Sequence, residues 1–272
     1  MQIVNIPSGF TELDKITNGW SNSNLIVIGG RPSMGKTCFG VSLLRNIAVT
    51  NKIPTAFFHL EGSKIQLTNR LLSSLCLVDR EEIEKFRNDD IANLNEEELY
   101  RIKTAKKQIE TAPIYLDDTP ALSIQELYLK ATRLVRDYQI KLIIIDYLQL
   151  MPGFGLFSDR SEEVAYIVCE LKKIAKDLNI PIIVFCQLYR HIENIDKRPR
   201  LSDLRESDII GQEADVVCFI HRPGYYGIFT DETGNDVHGL AEIIVAINRN
   251  GKTGNIRLKF NQTCASFDNF DE

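Results

Sequence analysis

Short apolar runs alternate along this chain with longer stretches in which apolar residues return every three or four positions. Residues 24–28 form the first run and end in Gly29-Gly30, which reads as a buried strand entering a tight turn. Residues 37–49 then place Phe39, Val41, Leu44, Ile47 and Ala48 at helical spacing. The spacing next predicts a strand over 54–60, a helix over 65–77 with Leu67, Leu71, Leu72 and Leu75 on one face, and a solvent-facing helical stretch over 79–109. A short strand is expected over 113–116. Ser123 with Glu126 three residues later is a capping box opening a helix to about Tyr138. Residues 141–146 are β-rich and end in an acid, 161–178 form a long amphipathic helix, and 181–186 form a strand ending at Gln187. Three late strands (215–221, 241–247 and 254–260) follow, the last two joined by the hairpin signal Asn248-Arg249-Asn250-Gly251. This alternation predicts an α/β fold: a mostly parallel central sheet flanked by helices, with an antiparallel edge late in the chain.

Length and composition narrow the class. With 272 residues, 44% of them hydrophobic and 25% charged, the chain has the proportions of a soluble globular protein rather than a disordered or collagen-like one. Neither a repeat nor a low-complexity linker divides it, so one domain over 1–272 is expected. Its apolar runs fall short of the roughly 18 residues a membrane span needs, and Met1 opens no basic-then-apolar leader; a cytoplasmic protein with no membrane contact is expected. The six cysteines form no C-x-x-C pair and the four histidines are scattered, so buried thiols are expected rather than a disulfide framework or a zinc site. The net charge of −5 is unevenly spread. Residues 79–99 hold nine acids against Arg80, Lys85 and Arg87, which leaves the remainder at about +1, and residues 190–205 are locally basic. Arg190 and Arg198 in that stretch are candidate contacts to a polyanion, with a solvated charged loop as the alternative.

The strongest chemical signal is Gly30-Arg31-Pro32-Ser33-Met34-Gly35-Lys36-Thr37, which fits G-x-x-x-x-G-K-[ST] between a predicted strand and a predicted helix. Its backbone N–H groups, with the helix N-terminus through Cys38, can cradle phosphate; Lys36 reaches the β- and γ-phosphates and Thr37 ligates Mg²⁺. ATP and Mg²⁺ are therefore the expected cofactors. Asp146 closes the strand over 141–145 and emerges at the P-loop edge, where a carboxylate completes a Mg²⁺ shell. Glu61 is expected to end the strand over 54–60 and to orient and deprotonate an attacking water. Gln187, ending another strand, can sense the γ-phosphate and pass that on to the long loop it begins. Each of these polar residues also has a bland reading as a strand cap or surface group. A glycine-rich loop over 152–160 carries Phe154 and Phe157, for which core packing and DNA contact are equally open.

These motifs, with Pro7-Ser8-Gly9-Phe10-Thr11-Glu12-Leu13-Asp14, Asp117-Asp118-Thr119-Pro120, Asp146-Tyr147-Leu148-Gln149-Leu150, Lys197-Arg198-Pro199, Ser202-Asp203-Leu204-Arg205-Glu206-Ser207 and Arg249-Asn250-Gly251, resemble the motor domain of DnaB-type replicative helicases from about Ile6 to Asp268. The resemblance implies a RecA-like P-loop NTPase fold, a hexameric ring and ATP-driven movement on single-stranded DNA. It assigns Lys36 and Thr37 to phosphate and Mg²⁺, Glu61 to catalysis, Asp146 to Mg²⁺, Gln187 to phosphate sensing and Arg249 to an arginine finger serving the neighbouring subunit. Arg205 and Glu206 match positions that meet the DNA backbone, and primase and a helicase loader are the implied partners.

The chain also departs from the family pattern. Asp208 stands where glycine is common and Ile247 where lysine is common. The family's collar domain and linker helix are absent from 1–272. A strand-exchange recombinase and a non-catalytic nucleotide-gated assembly module are the rival readings.

Overall fold

The structure, a computed structural model, describes residues 5–88, 94–188, 198–204, 207–231 and 233–270, with the backbone alone at 207 and 208. In chain order the elements are α1 (Thr11–Thr17), β1 (Leu25–Gly30), α2 (Lys36–Leu44), β2 (Thr55–His59), α3 (Lys64–Cys76), α4 (Arg80–Arg87), α5 (Glu96–Glu110), β3 (Ile114–Asp117), α6 (Ile124–Tyr138), β4 (Leu142–Asp146), α7 (Arg160–Leu178), β5 (Ile182–Gln187), α8 (Ser207–Glu213), β6 (Val216–His221), β7 (Leu240–Asn248), β8 (Gly254–Asn261) and β9 (Ser266–Asn269). The strands form one sheet in the order β3-β2-β4-β5-β1-β6-β7-β8-β9. Pairings from β3 through β6 are parallel and those from β6 to β9 antiparallel, the arrangement expected from the sequence.

The central strands are buried on both faces, and their period-2 geometry sends alternate side chains to two separate cores. Ile26 and Ile28 of β1 join Leu13, Phe39 and Leu71 of α1, α2 and α3. Leu25 and Val27 join Leu127, Leu171 and Ile210 of α6, α7 and α8. Helix α7 meets this face through Val164, Ile167, Val168, Leu171, Ile174 and Ala175, the stripe that a 3.6-residue period generates. Strand β8 lies nearer the edge and alternates strictly, with Ile256, Leu258 and Phe260 buried between exposed Asn255, Arg257 and Lys259. The expected capping box opens α6: the Glu126 amide donates to Ser123 Oγ and Glu126 Oε2 accepts the Ser123 amide.

Two expectations change. The helix expected over 37–49 ends at Leu44 and continues as a π-helical segment over Arg45–Thr50. The acidic stretch is two helices, α4 and α5, rather than a solvent-facing run: Ile83, Ile102 and Ala105 bury against Leu72, Cys76 and Val78 in a third small core. Elements α1, α8 and β9 carry too little periodicity to be read from sequence. Long-range contacts hold two of them: Phe267 of β9 packs on Phe39 and Phe260, and Asn248 Nδ2 donates to Ile16 O of α1. None of the six cysteines is in a disulfide; four are buried, and burial pushes Cys218 up to about 12.

Candidate nucleotide site and motor surfaces

The C-terminal ends of β1, β2, β4, β5 and β6 share one sheet edge, and the residues with candidate chemistry gather there. Ser33 (φ +64°) and Gly35 (φ +92°) adopt left-handed backbone in the P-loop, curling it between β1 and α2. Lys36 is buried, and its Nζ donates to Gly30 O at 3.2 Å and Arg31 O at 3.5 Å. Burial lowers its pKa, with Asp146, Cys186 and Glu61 acting in the opposite direction. Thr37 Oγ1 donates to Asp146 Oδ2 at 2.7 Å, which joins the helix start to the end of β4. Asp146 is fully buried, and its Oδ1 has no hydrogen-bond partner among the described residues. A buried carboxylate oxygen with nothing to accept from is costly. Together with a hydroxyl beside the phosphate loop, it is the donor set that a hydrated Mg²⁺ fits.

His59, the last residue of β2, is the register partner of Asp146, and its Nδ1 lies 3.3 Å from Asp146 Oδ2. It takes the strand-end position expected for Glu61. Glu61 instead lies two residues beyond β2 and is exposed, because the strand stops where the chain turns towards α3. Its carboxylate is still near enough to act on Lys36 and Tyr147. Gln187 ends β5 in register with Gly30, as expected. Gln149, part of a motif of the resemblance but given no role from the sequence, holds it: Gln149 Oε1 accepts the Gln187 amide at 3.0 Å, and its Nε2 donates to Gln187 O at 3.2 Å.

Another unanticipated pair closes the far side of the P-loop. Arg222 follows β6, its Nη1 donates to Ser33 O at 3.3 Å, and its guanidinium stacks 3.6 Å from the centre of the Phe260 ring. The two border a cavity of about 340 Å³ that Tyr225, Phe229 and His238 also line. The strand-end rule that singles out Asp146 and Gln187 applies equally to Arg222. Phe260 has no sequence signal, since it belongs to the late hairpin.

Arg249 lies at the other end of the sheet. Strand β7 runs antiparallel to β6, and Asn248 pairs with Val216, the first residue of β6. The P-loop edge is therefore a full strand away, roughly 17–20 Å for six residues. Arg249 cannot serve its own P-loop. Its Nε donates to Ala214 O at 2.9 Å and its Nη2 to Gln212 O, at the C-terminal end of α8.

Of the candidate DNA contacts, Arg190, Arg205 and Glu206 lie outside the described residues, as does the side chain of Asp208. Arg198 is partly exposed and pairs with buried Glu242 of β7 at 3.1 Å, so part of the local positive charge is already matched. The two aromatics of the glycine-rich loop part company: Phe157 packs on Tyr166, whereas Phe154 is 73% exposed. Arg160 braces that loop by donating to Gln149 O and Met151 O, both at 3.0 Å.

The DnaB-like helicase C-terminal domain model matches residues 5–269. The chain belongs to that family. It is 41% identical over 268 residues to a probable replicative DNA helicase of Trieres chinensis, covering 97% of this chain and 57% of the relative. It is 39% identical over 271 residues to the replicative DNA helicase DnaC of Bacillus subtilis, covering 99% of this chain and 57% of the relative. The chain thus spans little more than half the length of these relatives. The ATPase domain of G40P superposes with a TM-score of 0.89 at 31% identity, covering 99% of this chain and 92% of that one. A DnaB-like replicative helicase whose structure describes its interactions with primase superposes equally well, covering 100% of this chain and 63% of that one. Membership in the family establishes the RecA-like ATPase fold. No helix among the described residues is long and apolar enough to cross a membrane.

Proposed function

We propose that this chain is the ATP-hydrolysing motor of a ring-shaped replicative DNA helicase, which moves on single-stranded DNA and separates duplex. The observation that carries the reading is the convergence of the Thr37 hydroxyl and the buried Asp146 carboxylate, whose Oδ1 has no hydrogen-bond partner among the described residues, beside the P-loop of a member of the DnaB-like family. Residues 1–272 act as one RecA-like domain. Residues Gly30 to Cys38 wrap the phosphates, and Lys36 turns its ammonium from the loop carbonyls onto the β- and γ-oxygens. Thr37 and Asp146 would hold Mg²⁺, and the ion would supply positive charge beside the phosphates. Arg222 and Phe260 take the base, since a cation stacked on a ring can open to admit a flat heterocycle.

Glu61 accepts a proton from the water that attacks the γ-phosphorus, and the bond from that phosphorus to the bridging oxygen breaks to leave ADP. Gln187 reports the γ-phosphate to the segment after β5. Arg249 completes the neighbour's site, which makes the contact heterologous; in the family's hexamer such contacts close into a ring. Arg190, Arg198, Arg205 and Glu206 follow the DNA backbone, with primase and a loader as further partners in the cytoplasm.

The experiment is an ATPase assay with and without single-stranded DNA. Hydrolysis should rise with DNA. Lys36→Ala should lose nucleotide affinity, and Glu61→Gln should bind ATP yet turn over about 10²–10⁴-fold more slowly. DNA affinity should fall with salt at a log–log slope of about −0.7 per phosphate neutralised, independently of base sequence. A chain that binds ATP without turnover, with or without DNA, would be an assembly module instead.

A further inference from the structure

Arg31 holds the P-loop from within while its side chain leaves it. Its carbonyl accepts the Met34 amide at 3.2 Å and the Lys36 ammonium at 3.5 Å, so its backbone follows whatever the P-loop does. The side chain is buried, with the residue 8% exposed, and Nη2 lies 3.6 Å from Oδ2 of Asp203, which is 3% exposed. Neither Nε nor Nη2 makes a hydrogen bond among the described residues. The same Asp203 oxygen accepts the Arg200 amide at 3.0 Å, while the Asp203 amide donates to Arg200 O at 2.9 Å. These bonds close a single turn over Leu201–Asp203, and buried Leu204 anchors it to the sheet. Arg205 and Glu206 come next in the chain.

The quality of the pair matters. Two buried charges recover their desolvation cost only with close, hydrogen-bonded geometry, and a pair at 3.6 Å without those bonds sits near balance. A sub-ångström movement of the P-loop backbone will therefore tighten or release it. Release would leave each buried charge without a counter-ion among the described residues, so the Asp203 turn is driven to move with Arg31. The contact also lies outside the Gln149–Gln187 connection, which reaches the same segment from β5.

We propose that the Arg31–Asp203 pair is a mechanical link through which nucleoside triphosphate in the P-loop sets the position of the turn at 200–204, and with it the affinity of the adjoining segment for single-stranded DNA. Asp203 is then a positioning residue. The link rests on the reading of this domain as an ATP-driven motor on DNA.

Asp203→Asn tests it, because the amide oxygen still accepts from Arg200 while the charge facing Arg31 is gone. The readout is the ratio of dissociation constants for labelled oligo-dT without and with a non-hydrolysable ATP analogue. In the parent chain, coupling of ordinary size gives a ratio of about 5–150-fold. In Asp203→Asn it should fall to within about twofold of one, with DNA-free ATPase and its KM little changed. Ser202→Ala, an exposed neighbour on the same turn, should keep the parent ratio. Hydrogen exchange on the unmodified chain gives a check that needs no variant: the analogue should alter protection of the Asp203 and Leu204 amides. Unaltered protection, or an Asp203→Asn ratio equal to the parent's, overturns the link. A parent that hydrolyses no ATP or binds no oligo-dT overturns the motor reading itself, and the link with it.

Discussion

At the scale of single residues, the nucleotide edge is built from side chains whose neighbours supply what each lacks. Thr37 and Asp146 are 109 positions apart and share one hydrogen bond; Arg222, just beyond β6, and Phe260 of β8 share one stack. The stack makes a prediction that separates base from phosphate recognition. A cation–π contact contributes about 0.5–2 kcal/mol, so Arg222→Ala or Phe260→Ala should raise the dissociation constant for ATP by about 2–30-fold. Binding of inorganic triphosphate, which has no base, should not change for Phe260→Ala. Competition titration with a fluorescent ATP analogue measures both. Equal losses for the two ligands would remove Phe260 from the base site. Asp146 is legible in the sequence because it ends an apolar run, whereas Phe260 is not, because an aromatic at an inward strand position looks like any core residue.

At the scale of elements, the P-loop is positioned by how closely α2 lies on the sheet. Gly40 sets that distance: a Cβ there would stand 2.9 Å from Phe185 Cε2 and 3.1 Å from the Phe57 ring. Gly40→Ala would gain about 0.5–1 kcal/mol of helix propensity and lose about 1–3 kcal/mol to overpacking. Overpacking wins, and the urea midpoint should fall; a midpoint that rises would show that α2 can lift without strain. A second element contact is electrostatic. At the end of β3, burial pushes Asp117 up, but hydrogen bonds from Lys130 of α6 and from Thr119 outweigh it and leave the carboxyl below its ordinary 3.8. A depressed acid stabilises the fold above its unfolded pKa and loses that contribution as pH falls through the folded value. Lys130→Met should therefore be less stable than the parent at pH 7, and the gap should narrow as pH drops below 3.8. Denaturation midpoints across that range measure it, and a gap independent of pH would assign the loss to packing. The capping box at Ser123 is legible in the sequence, because a cap is local. The split of the acidic stretch into α4 and α5 is not, since Ile83 and Ile102 face inward through packing on Leu72, Cys76 and Val78.

At the scale of the molecule, the sheet separates the two halves of one proposed active site. The P-loop opens at one end of the parallel strands and Arg249 at the other, so a site with both needs two copies of the chain. Lys36→Ala and Arg249→Ala chains should each be nearly inactive, since an arginine finger contributes about 10³–10⁵ in rate. Mixed, they create some interfaces with an intact P-loop facing an intact Arg249, and DNA-free ATPase should exceed the sum of the two. Gel filtration must show mixed assemblies; strictly additive activity in those assemblies would rule out action in trans. The arrangement also gives the link from Arg31 to Asp203 a wider setting, since α8 begins just beyond that turn and the carbonyls of Gln212 in α8 and of Ala214 just past it hold Arg249.

Period, capping and motif spacing are local properties, and they determined most of what the sequence disclosed: the alternating α/β order, the parallel core with its antiparallel edge, and a phosphate loop with Lys36 and Thr37 between β1 and α2. Strand ends are almost as legible, because a polar residue after an apolar run marks where a chain leaves the sheet. The rest depended on strand order. That β7 returns antiparallel beside β6 sends Arg249 to the far edge; that β4 lies beside β2 puts His59, not Glu61, against Asp146. Arg31 reads as one more residue of a glycine-rich loop until the fold buries it against Asp203, 172 positions later. Contacts of that reach are fixed by which elements pack together, and no local pattern along the chain encodes them.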